Sequence, residues 1–196
     1  MNRTGHPSAP IRLDGGRLCL DFVNTIHDRF ATDPEDYIDR PARYLEWCAF
    51  AGAIDPKELA VCGDAGADAA LMKQVGDLRR QLHALLAARI DGAPPPAEAV
   101  HCLDRWLHRA WASQSFAADG RMRWRDDARD ARLPLKRIAL DALDLLGDAS
   151  ASLRRCANTT SCGWLFLDTS KNQRRRWCAM ETCGTLDKMR RYRQVR

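Results

Sequence analysis

Four cysteines within 28 residues constrain this chain more than any other feature of its sequence. Cys156, Cys162, Cys178 and Cys183 are separated by five, fifteen and four residues. Two close cysteine pairs joined by a longer segment suit a tetrahedral metal ion, because each pair supplies two corners and the segment between them folds back. Small residues flank the thiols, in Ser161-Cys162-Gly163 and Cys183-Gly184, where the backbone must bend round a metal. Zn2+ is the expected ion. Four thiolates leave no open coordination position, so the role is structural rather than catalytic. The bland alternative is a hydrophobic cluster of four unmetallated thiols. The other cysteines, Cys19, Cys48, Cys62 and Cys102, sit among apolar neighbours and read as small buried hydrophobes.

The segment between the pairs predicts a β-hairpin. Trp164, Leu165, Phe166 and Leu167 form one strand-like run, and Arg176-Trp177 leads back into the second pair. Beyond Cys183, Thr185 would cap a short helix with Asp187 in its first turn. A unit this small buries too little surface to fold alone, so metal binding would contribute directly to its folding.

Charge singles out the same region. Residues 1–150 carry 20 Lys/Arg against 23 Asp/Glu, a net −3, whereas residues 151–196 carry 11 against 3, a net +8. Basic charge confined to one small module points to a polyanion, with Arg174, Arg175, Arg176, Lys188, Arg190, Arg191 and Arg193 as the candidate nucleic-acid contacts. Lys188, Arg190, Arg191, Arg193 and Arg196 spread round a helical projection instead of forming one face. Two alternatives compete: a solvated basic terminus, and arginines (Arg154 and Arg155 among them) that balance the −2 charge of a zinc tetrathiolate.

Residues 1–150 read as mainly α with a small β component. Leu71, Val75, Leu78, Leu82, Leu85, Leu86 and Ile90 recur at spacings of three and four, which predicts an amphipathic helix ended by Gly92 and Pro94-Pro95-Pro96. Further helices are expected over 42–51, from 97, and over 133–146, with a two-residue hairpin turn at Asp119-Gly120. The alternation of Leu18, Leu20 and Phe22 predicts a short strand or an extended stretch entering the core. Its polar members Asp21, Asn24 and Thr25 are candidates for a ligand pocket or for capping. The division is therefore a helical domain over 1–150 and a zinc module over 151–196.

The N-terminus lacks the apolar core of a signal peptide, and no apolar run approaches the ~20 residues of a membrane span, so a cytoplasmic protein is expected. His101 and His108 fall seven apart on an expected helix, with no carboxylate partner or nucleophile elbow; together with His6, His27 and His83 they read as ordinary surface or core histidines, and no enzymatic role is assigned.

Residues 154–193 resemble the CGNR zinc-finger family, through Cys156-Ala157-Asn158, Cys162-Gly163-Trp164-Leu165-Phe166-Leu167-Asp168, Arg175-Arg176-Trp177-Cys178 and Cys183-Gly184. Gly15-Gly16 with Leu18, Leu20, Asp21, Phe22, Asn24 and Thr25 is similar to the start of the ABATE domain that precedes this finger. The resemblance implies a stress-responsive bacterial transcription regulator, with a DNA-binding finger and a helical domain that senses a small-molecule effector. The alternative is a zinc-stabilised protein-interaction module that docks on a protein or on a second copy of the chain, as in a homodimer. Two departures stand out. The first cysteine pair is one residue wider than usual, and Thr185-Leu186 replaces the Asn-Arg of the family signature.

Overall fold

In a computed structural model of the chain, residues 11–62, 68–125 and 130–194 are described. Among the described residues the fold is mainly helical, with three two-stranded antiparallel ribbons. Helices α1 (Leu18–Val23), α2 (Pro41–Phe50), α3 (Pro56–Cys62), α4 (Ala69–Asp91), α5 (Ala97–Ala112) and α6 (Leu133–Gly147) precede the cysteine module. Among the described residues no helix is long and apolar enough to cross a membrane.

The 3.6-residue periodicity locates the long helices well. In α4 the periodic residues Leu71, Val75, Leu78, Leu82, Leu85 and Leu86 are buried. Asp68 caps its first turn by accepting the Leu71 N–H at 2.8 Å, and Gly92 ends it. Helix α5 packs against both α4 and α6, burying Leu103, Trp106, Leu107 and Ala110. Pro41 occupies the first turn of α2, where its missing N–H costs nothing.

Two local expectations within residues 1–150 are overturned. Residues 18–23 form helix α1, not a strand, with Cys19 through Val23 all buried. A helix enclosed on every side shows no polar face, so its apolar residues alternate by accident. Its N-terminus is satisfied from a distance: Asp141 on α6 accepts the Cys19 N–H at 2.8 Å and also pairs with Arg17. The hairpin of β3 (Gln114–Phe116) and β4 (Met122–Trp124) is present, but its loop is longer than two residues. Ala117 N–H bonds Arg121 C=O, so Ala118, Asp119 and left-handed Gly120 make a three-residue connection.

A smaller ribbon of β1 (Ile26–His27) and β2 (Glu35–Asp36) follows α1. Buried Arg79 of α4 anchors it, pairing with both Asp36 oxygens at 2.7 and 2.5 Å and donating to Thr25 Oγ1 at 2.9 Å. Paired carboxylate and hydroxyl acceptors meet the guanidinium's fork of donors, which makes its burial tolerable.

The cysteine module is joined to this framework by one continuous core, which runs from Leu20, Phe22 and Trp47 to Trp164, Leu165, Phe166 and the four cysteines. Strands β5 (Leu153–Arg155) and β6 (Leu165–Leu167) pair antiparallel, β6 against α1 and β5 against α4. The hairpin partner of the Leu165 run is thus the segment before Cys156, not Arg176-Trp177. Helix α7 (Thr185–Gln194) completes the described chain.

Candidate metal centre and basic surface

The β5–β6 connection carries Cys156 and Cys162. Cys156 N–H donates to Trp164 C=O at 2.8 Å, and Gly163 N–H returns to Asn158 C=O at 3.2 Å, closing a tight knuckle. Gly163 holds φ +73°, and a Cβ there would lie 2.3 Å from the Phe30 ring. Only glycine fits both the left-handed backbone and the contact. Asn158, almost fully buried, donates to Ser161 Oγ at 2.9 Å and accepts from Thr160 Oγ1 at 3.0 Å, bracing the loop. Cys178 lies at the end of the returning segment, and Cys183 within a π-helical turn, Met180–Gly184, that runs directly into α7. Thr185 is therefore already helical. Its hydroxyl donates to Met180 C=O at 3.2 Å instead of capping an N-terminus.

All four Sγ atoms lie within 4.8 Å of one another and all four residues are buried. The Cys162–Cys178 and Cys178–Cys183 sulfur separations are 3.7 and 3.8 Å. Tetrahedral zinc with bonds of about 2.3 Å requires sulfurs about 3.8 Å apart, so the cluster has the dimensions of a zinc tetrathiolate. Four thiols this close cannot ionise independently, because each thiolate charge opposes the next. A dication removes the conflict by favouring the thiolate at every position. Zn2+ is the ion this donor set takes. Of the scattered cysteines, Cys19, Cys48 and Cys102 are buried, and burial raises the Cys19 and Cys102 thiols above the ordinary range. The side chain of Cys62 lies outside the described residues, as do His6 and Arg196.

Asp168, buried after β6, organises the arginine-rich segment. It accepts from Ser170 N–H at 3.0 Å, Ser170 Oγ at 2.6 Å and Arg175 N–H at 2.8 Å, and it pairs with Arg154 at 3.1 Å. Burial alone would raise its carboxyl, but these donors outweigh burial and hold it below the usual carboxylate range.

The basic candidates divide by environment. The half-buried Arg175 guanidinium donates to Cys178 C=O at 2.5 Å and Leu167 C=O at 3.4 Å, 4.7 Å from the centre of the Phe166 ring. Arg155 bonds Asp91 of α4 at 2.9 Å. Arg174 is exposed, and so is Arg176, which stacks over Trp177 at 4.9 Å. On α7, Lys188, Arg190, Arg191 and Arg193 are all exposed; Arg190 reaches Thr160 at 2.5 Å and Arg191 pairs with Asp187, while Lys188 and Arg193 extend into solvent. Thr185 and Leu186 open α7 on its exposed side.

The three pocket candidates are held by the protein itself. Asp21 accepts the Gly15 N–H at 2.7 Å, and burial foremost pushes its carboxyl up to about 7. Asn24 bonds both backbone groups of Leu165, donating from Nδ2 to its C=O at 2.8 Å and accepting its N–H at 2.9 Å. Thr25 donates to Phe22 C=O at 2.8 Å. A different set of residues, His27, Asp28, Tyr37 and Trp164, surrounds an open cavity beside the cysteine cluster. No sequence motif marked it, because its walls come from segments more than 120 residues apart.

Residues 16–149 match the family model of the ABATE domain, described as a "putative stress-induced transcription regulator". Residues 152–196 match the model of the CGNR zinc finger. No curated protein matches the chain.

Proposed function

The chain belongs to the ABATE family and ends in a CGNR zinc finger, and from that premise we propose that it regulates transcription by binding DNA through the finger. The observation that carries this reading is the exposure of Arg174, Arg176, Lys188 and Arg193 on a module whose geometry zinc fixes. Phosphates attract such cations by counterion release, and α7 is oriented rigidly because Cys183 lies in the turn that starts it. Arg175 and Arg190 support the local fold in this reading, so the DNA contacts are fewer than the charge count suggests. The helical region receives a small-molecule effector, and the protein works in the cytoplasm, where bacterial DNA is found.

Deleting the finger would be a poor test, since the deletion would open the shared core. The test is to replace Arg174, Arg176, Lys188 and Arg193 with alanine together and to measure DNA affinity by fluorescence anisotropy across salt concentrations. Each phosphate contact contributes about −0.9 to the log–log salt slope, so four lost contacts flatten it by about 3.6. An unchanged slope and affinity, with zinc content intact, rejects the reading.

A second reading has its own support. Leu186, Met189 and Tyr192 are 49%, 55% and 65% exposed and recur every three residues along α7. That apolar stripe suits a protein partner or a second copy of the chain. Association that persists at salt concentrations abolishing DNA binding, and is lost in Met189→Asp, favours this reading.

A further inference from the structure

The cavity beside the cysteine cluster encloses about 290 Å³ between the segment 26–37 and the finger. One side is aromatic. His27 stacks on Tyr37 with centroids 5.8 Å apart at 24°, and Trp164 meets His27 edge-on at 6.1 Å and 81°. Trp164 is fixed in place because its Nε1–H donates to Ile26 C=O at 3.0 Å.

The charge of the walls is negative. Arg12 and Asp14, both lining the cavity, neutralise each other at 2.9 Å. Asp28 is not neutralised in this way. Its Oδ1 is buried without a hydrogen-bond donor, 3.6 Å from His27 Nδ1. At the other end lie Cys162, Cys178 and Cys183, which belong to a zinc tetrathiolate of formal charge −2. An anionic ligand would meet this charge unfavourably. A metal cation would find too few oxygen donors beside the rings. An alkylammonium group suits both walls, with aromatic rings beside its methyl groups and the unbonded Oδ1 of Asp28 for its charge.

We propose that this cavity binds a small organic cation, a quaternary ammonium compound, as the effector of the protein. The proposal rests on the effector reading given above and specifies its chemistry and its place. Because the walls belong to both the helical region and the finger, an occupant bears on the orientation of α7: Leu186, in the first turn of that helix, also lines the cavity.

Isothermal titration of the zinc-loaded full chain with choline, tetramethylammonium and phenyltrimethylammonium tests the site, with 3,3-dimethylbutanol as the neutral counterpart of choline. A cation–π and carboxylate site predicts saturable binding of choline about tenfold or more tighter than the alcohol. Asp28→Asn should weaken it about tenfold, whereas Asp119→Asn on the distant hairpin should leave it unchanged. Equal binding of choline and the alcohol, an unaffected Asp28→Asn variant of normal zinc content, or binding of none of the three cations overturns the proposal. DNA affinity is then compared with and without choline at matched ionic strength. Cation binding that leaves DNA affinity unchanged rejects the effector role and retains the site. Absence of cation binding with DNA binding intact rejects the site alone.

Discussion

Asn24→Ala perturbs a buried contact that joins the helical region to the finger. The Asn24 side chain is 2% exposed, and its amide bonds the N–H and the C=O of Leu165 at 2.9 and 2.8 Å. Only one orientation of the amide satisfies both, and it acts as a stand-in for a neighbouring β-strand. Alanine would leave two buried backbone groups of β6 unpaired. At about 1–3 kcal/mol for each orphaned group, the substitution costs roughly 2–6 kcal/mol. For a chain of this length, about 3 kcal/mol corresponds to a Tm lower by roughly 6–12 °C. Thermal unfolding followed by circular dichroism reads the shift, and hydrogen exchange at the Leu165 amide shows whether the joint is where stability is lost. If Asn24 existed only to touch a ligand, its removal would leave both measurements unchanged. A Tm within about 1 °C of wild type, with the Leu165 amide equally protected, refutes the reasoning.

Cys178→Ser removes one of four zinc ligands and should reduce bound zinc, measured by elemental analysis, from one equivalent to well below half. It should also destabilise the core that the finger shares with α1 and α4. Asp21, with its carboxyl pushed up to about 7 in the fold, keeps a proton that the unfolded chain loses near 3.8. Its contribution is fully present below that lower value and is lost as pH rises through 7, so denaturant midpoints of wild type should fall across this window relative to Asp21→Asn. An identical pH dependence for the two proteins counts against the burial of that carboxyl. Gly163→Ala forces a Cβ to 2.3 Å from Phe30 in a left-handed backbone and should cost about 1–3 kcal/mol in chemical denaturation. Gly163→Ala combined with Phe30→Ala should recover the part due to the clash.

What was legible in the sequence is what local chemistry dictates. Four cysteines at metal-binding spacing define a tetrahedral thiolate site, and the zinc-finger motif around them names the ion. The leucine stripe of α4 and the proline at the head of α2 locate helices, because periodicity and a missing N–H act within a turn or two. Residues 18–23 were misleading for the opposite reason. Their N-terminal N–H is satisfied by Asp141, 122 positions away, and burial on all sides erases the helical signature. Likewise, the basic count could not distinguish Arg175, held by two carbonyls, from Arg174 and Arg176 in solvent. Nor could the pattern of Asp21, Asn24 and Thr25 reveal that these side chains hold backbone in place while His27, Asp28 and Trp164 face open space. Ion identity depends on ligand type, which a sequence states outright. Which polar groups remain free depends on what the rest of the chain brings beside them, and only the tertiary structure decides that.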